Sequence, residues 1–131
     1  MKVLLYLNGS NGAAELLYHA VVGVISECDA EICRTAVALS KRLRQKTSDL
    51  TVVVLLACTR QDLAEIVALH DCLQDLRTIL ILPDRDAATI AHGLTLRPRF
   101  FTFTDADFSY VSAVLAKMLR VYGKRSEHMG L

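Results

Sequence analysis

Residues 50–58, Leu-Thr-Val-Val-Val-Leu-Leu-Ala-Cys, run without a charged side chain or a turn former. A strand with one wet face alternates apolar and polar residues, so an unbroken run rich in β-branched valine predicts a strand buried on both faces. Such a strand needs a sheet with helices packed on either side. The run is far shorter than the roughly 20 apolar residues of a membrane span. Everything else in the chain has to supply the neighbouring strands and the covering helices.

The flanking segments do so by alternation. "KVLLYL" at residues 2–7 reads as a first strand, and the turn formers of "NGSNG" follow it. From about Asn11 a helix is predicted, with Ala13, Leu16, Leu17, Ala20, Val21 and Val24 as its core stripe. A helix continuing from residue 11 to residue 46 would be roughly 54 Å long, against a radius of gyration of about 14 Å for a domain of this size. The stretch must break, and "CDAEICRT" is the place, with a short second strand at Ala30–Arg34. Ala36, Leu39 and Leu43 then mark a second helix. After the third strand, Thr59 and Asp62 form a near capping box opening a helix over "TRQDLAEIVALHDCLQD". "RTILILPD" is the fourth strand, and "RDAATIAHG" a short helix ending at Gly93. "PRFFTFT" is the fifth strand. The last helix carries Phe108, Val111, Leu115, Met118 and Tyr122 on its inner stripe. Five β/α units predict an α/β fold: a doubly wound, five-stranded parallel sheet with right-handed crossovers.

At 131 residues the chain has room for one domain, taken as residues 1–122 with a C-terminal tail at 123–131. Its 15 basic and 14 acidic side chains nearly cancel, which gives no electrostatic reason to expect nucleic acid or an anionic membrane as partner. The first residues are too short in apolar length for a signal peptide, so a cytoplasmic protein is expected. Cys28, Cys33, Cys58 and Cys72 show no C-x-x-C pair or nearby histidine spacing and read as plain thiols, not a metal site. His19, His70, His92 and His128 stand singly.

The order and spacing of these segments resemble a response-regulator receiver domain over about residues 2 to 122. "TSDLTVVVLLACT" is similar to that family's third strand, usually of the form D-L-V-L-L-D, and "TILILPDRDAATIAHGLTLRPRFFTFTDADFSYVSAVLAKML" resembles its fourth strand through last helix. The resemblance implies the flavodoxin-like strand order 2-1-3-4-5, with functional loops at the strands' C-terminal edge. It also implies a set of chemical parts. The family transfers a phosphoryl group to an aspartate ending strand 3, using Mg²⁺ held by an acidic pair after strand 1, a hydroxyl after strand 4 and a lysine after strand 5. By that alignment the acidic pair falls at Leu7 and Asn8, the acceptor at Val54, the hydroxyl at Pro83 and the lysine at Asp105. None of these carries the family's group, so the resemblance implies a degenerate pseudo-receiver. Reading "LILPD" as strand 3, with Asp84 as acceptor, restores the overlong helix and is rejected.

The expected role is therefore a noncatalytic module of two-component signal transduction that acts by protein–protein interaction, independent of phosphorylation and without cofactor or metal. The alternative is a flavin or nucleotide binder using the loop Asn8, Gly9, Ser10, Asn11 and Gly12, because a helix N-terminus favours anions. A simple strand-to-helix turn explains the same residues. Asp86, Asp105 and Asp107 sit where helix caps belong. Arg34, Lys41, Arg42, Arg44 and Lys46 make the second helix basic, a solvated face or a steering patch for an acidic partner. The first helix is apolar nearly all round. Tyr18, Val22 and Ile25 on it, with Tyr110, Val114 and Val121 on the last helix, are expected to form a homodimer interface, unless the tail covers them.

Overall fold

A computed structural model describes residues 2–8, 12–25 and 29–123. Strands β1 (Lys2–Leu7), β2 (Asp29–Cys33), β3 (Leu50–Leu56), β4 (Thr78–Leu82) and β5 (Phe100–Phe103) alternate with helices. These are α1 (Gly12–Ile25), α2 (Ala36–Leu43), α3 (Arg60–Val67), the single turn α4 (His70–Leu73), α5 (Ala87–Leu94) and α6 (Ser109–Met118). A π-helical turn, Leu119–Gly123, continues α6. All pairings are parallel and the order is β2-β1-β3-β4-β5, as the sequence predicts. β2 pairs with β1 from Lys2↔Asp29 to Tyr6↔Cys33, so the break in the long apolar stretch is a true strand.

Every residue of β3 is buried, which is why its sequence never alternates. Side chains pointing one way (Val52, Val54, Leu56) join Val3, Leu5 and Leu7 of β1 beneath α1 and α6. Those pointing the other way (Val53, Leu55, with Ala57 beyond) join Leu4 and Tyr6 beneath α2, α3 and α5. Full burial of a valine or leucine contributes roughly 1.5–3 kcal/mol. The inner strands therefore dominate the hydrophobic driving force. Tyr6 is fully buried, and desolvation above all pushes its phenol up to about 12.

Three local expectations are corrected. On α1 the buried residues are Ala14, Leu17, Val21 and Ile25, whereas Leu16, assigned to the core stripe, is 64% exposed. Its apolar residues lie on all sides, so the period identifies a helix without fixing its rotation. The helix predicted from Thr59 onward is interrupted: α3 ends at Val67, and α4 begins at His70 after a turn at Ala68–Leu69. Gly93 lies inside α5 and is buried there. A Cβ at Gly93 would come within 2.6 Å of the Leu82 side chain, so the glycine serves close packing of α5 on β4 and does not end the helix.

Candidate functional site

At the C-terminal edge of the sheet β1 and β3 end side by side, with Leu7 opposite Leu56. Asn8 follows β1, while Ala57, Cys58 and Thr59 lead from β3 into α3. The carboxylate beside them is Asp62, in the first turn of α3. The capping box is complete: Thr59 Oγ1 accepts from the Asp62 N–H at 3.0 Å, and Asp62 Oδ2 accepts from the Thr59 N–H at 3.2 Å. The same oxygen accepts from the Cys58 N–H at 3.2 Å, and Oδ1 takes a short hydrogen bond from the Asn8 amide. Asp62 thus ties the ends of β1 and β3 to the start of α3. Carboxylates are favoured there because free N–H groups and the helix dipole converge on them.

The neighbouring half of the edge is built from ion pairs. Arg60 reaches Asp84 Oδ2 through Nε at 2.9 Å and Asp86 Oδ2 through Nη2 at 2.8 Å. Arg60, and after it the Asp86 N–H, hold the Asp84 carboxyl below its ordinary range. Asp86 caps α5, accepting from the Ala88 N–H at 3.1 Å. Asp107 accepts from the Ser109 N–H at 3.0 Å but stands one residue before the N-cap of α6, which is Phe108. Asp105 is no cap. It pairs with Arg85 at 3.0 Å, and the Arg85 guanidinium sits 4.2 Å from the centre of the Phe103 ring. The Thr104 hydroxyl donates to the Pro83 carbonyl at 3.3 Å, joining the ends of β4 and β5.

The positions aligned with a phosphorylation site are only partly assembled. Asn8, Pro83 and Asp105 lie at the edge. Leu7 is buried in the apolar layer beneath α1. Val54 is a correction: it sits in mid-strand between Leu5 and Ile79, fully buried, two residues before β3 ends. Leu56 and Ala57 hold the end of the strand, and Ala57 still donates its N–H to Ile81 O at 2.9 Å. Of the loop Asn8–Gly12, the residues Gly9, Ser10 and Asn11 lie outside the described residues, as do Cys28 and His128. Among the described residues no group of three or more His, Cys, Asp or Glu side chains gathers to hold a metal ion. None of the described helices is long and apolar enough to cross a membrane.

The residues expected at an interface differ in exposure. Ile25 is 5% exposed and belongs to the core. Tyr18 borders a hollow with Leu7, Glu15 and Arg34, on the flank of α1 turned from α6. The flank facing α6 presents Leu16 and Ala20 to Ser109 and Ser112 across a groove of about 540 Å³. Tyr110 and Val114 lie only about 40° apart around α6 at about 100° per residue, on the flank turned from α1. Val22 and Val121 are exposed with Tyr110, and Tyr18 and Val114 are partly buried against the core beneath both helices. The basic second helix also changes meaning. Arg42 is 10% exposed and pairs with Glu31 at 2.7 Å and Asp49 at 3.3 Å.

Sequence reasoning missed Arg60 and its link to Asp84 and Asp86. The signal was faint: an arginine directly after a helix cap, with carboxylates 24 and 26 residues away.

Comparison with known proteins rests on structure. No family profile matches the chain, and no curated protein matches it in sequence. Among solved structures, a response regulator from Thermotoga maritima is similar at a TM-score of 0.66 with 10% identity, covering 92% of this chain and 98% of that one. The BeF3-activated DrrB receiver domain gives 0.65 with 11% identity over 91% and 97%. An orphan response regulator of H. pylori gives 0.65 with 8% identity over 91% and 96%. With the strand order, the covering helices and these likenesses together, the chain has the fold of the response-regulator receiver domains.

Proposed function

We propose that this domain is a noncatalytic signalling module of receiver fold that works by protein contact and takes no aspartyl phosphate. The observation that carries the reading is the state of Asp62. It is the carboxylate beside the ends of β1 and β3, and its oxygens accept from the Asn8 amide and from the Cys58 and Thr59 N–H groups. Binding a hard divalent cation would require stripping those donors away. A covalent phosphate would do the same and uncap α3. Asp84, the next carboxylate along the edge, faces the Arg60 guanidinium. The groups that coordinate a metal and accept a phosphoryl group in the family thus give way here to groups that brace loops.

Contact is what such a fold still offers. The flavin or nucleotide alternative gains no support, because the Asn8 side chain turns to Asp62 and away from a ligand role.

Beryllofluoride with Mg²⁺ mimics the phosphorylated aspartate. Titrating it into ¹⁵N-labelled protein should leave the amide signals of Asn8, Cys58, Thr59 and Thr104 in place. Saturable shifts at those residues would overturn the reading.

A further inference from the structure

The charged side chains are unevenly compensated over the surface. Lys2 and Arg42 share Glu31 and Asp49, Arg60 takes Asp84 and Asp86, and Arg85 takes Asp105. Arg77, Arg97, Arg99 and Arg120 make no ion pair among the described residues. Arg77, Arg97 and Arg99 lie at the other edge of the sheet, where β4 and β5 begin.

Arg77 immediately precedes β4 and Arg99 immediately precedes β5, and the Arg99 N–H donates to Thr78 O at 2.8 Å. Both guanidiniums approach one aromatic ring: Cζ of Arg77 is 3.9 Å, and that of Arg99 6.0 Å, from the centre of Tyr122 in the π-helical turn. The ring attracts the cations but accepts few of their N–H groups. Arg77 Nε is buried and has no acceptor among the described residues. Arg97, two residues ahead of Arg99, is exposed in a left-handed backbone conformation with φ 51°, fixed on its far side by Pro98. No acidic residue occurs from residue 108 to residue 123, and Asp75, near Arg77 in sequence, forms no ion pair among the described residues.

We propose that this edge is the docking surface for an acidic segment of a partner protein, with carboxylates bridging Arg77 and Arg99 and with Arg97 at the rim. The proposal rests on the protein-contact reading above and gives the partner its chemistry. The Arg77 guanidinium, stacked on the ring at 3.9 Å, is held in place before binding, so little of its side-chain freedom is lost when a planar carboxylate meets it. Lys41, Arg44 and Lys46 near α2 are also exposed, but the neighbouring Arg42 is already neutralised. A protein partner fits better than nucleic acid. The formal net charge is only +1, and the aromatic ring at the centre is covered by Arg77, which leaves that face closed to a base.

The test uses a fluorescent oligoglutamate peptide and anisotropy at low and at physiological ionic strength. The double variant Arg97→Glu with Arg99→Glu changes two exposed side chains and should weaken binding at least about tenfold. A control of equal charge change, Lys41→Glu with Arg44→Glu, should stay within about twofold of the parent. Circular dichroism confirms that each variant is folded. Equal loss in both variants would mean unspecific attraction by net charge and overturn the proposal. So would absence of binding by the parent at low salt, or tighter binding at this edge by a single-stranded oligonucleotide of matched charge. Failure here leaves the beryllofluoride result standing, and a beryllofluoride response would leave the peptide result standing, so the two readings fail separately.

Discussion

The two ends of strands β1 and β3 use the same residue types differently. At their N-terminal ends Lys2, Glu31, Arg42 and Asp49 form a closed network: Lys2 pairs with Glu31 at 3.0 Å and Asp49 at 3.4 Å, and Arg42 pairs with both carboxylates. Four separate segments meet there, and the Arg42 side chain is almost entirely covered. At the C-terminal ends Asp62 caps a helix, and beside it Arg60 bridges Asp84 and Asp86 in the open. The first network locks edge strand β2 and helix α2 onto the sheet. The second braces loops at the edge where open α/β sheets in general place their ligands. In both places carboxylates are matched with donors, and neither place is arranged like a cation site.

The sharpest way to break this comparison is to put an acceptor where the sequence alignment placed it. Val54→Asp would bury a carboxylate in mid-strand between two apolar layers, at a cost on the order of 4 kcal/mol or more. That is a large part of the about 5–15 kcal/mol available to a domain. Urea denaturation should show a sharply lowered midpoint. A stable Val54→Asp protein would mean that β3 ends earlier than described.

A smaller effect is expected from Arg42→Ala. Hydrogen bonds to charged groups contribute about 1.5–3 kcal/mol, but Glu31 and Asp49 are 35% and 44% exposed, so screening reduces the loss to about 1–2 kcal/mol. The effect carries a pH signature. Arg42, and after it Lys2, hold the Glu31 carboxyl below its ordinary range. A carboxyl whose ionised form is favoured by folding stabilises fully above its unfolded pKa of about 4.3, and the stabilisation fades as pH falls through and below that value. The melting temperatures of parent and variant should differ at neutral pH and converge toward pH about 3. A difference that persists in acid would show that Arg42 acts through packing of its stem.

The least effect is expected from Arg60→Ala, since its guanidinium and both partner carboxylates are well exposed. Thermal melting should barely change. What should change is Asp84, whose carboxyl should titrate closer to the ordinary aspartate range by NMR, because its first cause of depression is gone. An unmoved Asp84 titration would assign the depression to the Asp86 N–H.

These contrasts also explain how much could be read from the chain. The unbroken apolar β3 and the alternation around it specified a parallel sheet, since few other folds bury such a strand on both faces. The break at β2 followed from length alone. Rotation of α1 was not legible, because Leu16 and Leu17 are equally apolar and only the packed structure exposes one and buries the other. For the same reason β3 concealed its own end: where every residue is apolar, nothing local marks the last one. The Asn8–Asp62 contact spans 54 residues and pairs types that each look ordinary in place, a loop asparagine and a helix-capping aspartate. Local signals reached the cap and stopped there.

The proposed function requires that the C-terminal edge take no phosphoryl group on a carboxylate. Incubation with acetyl phosphate and Mg²⁺, followed at once by intact-mass measurement under mild acid, tests it most directly. The mass is expected to stay unchanged at every incubation time. A gain of one phosphoryl group, mapped by fragmentation to Asp62 or Asp84, would contradict it.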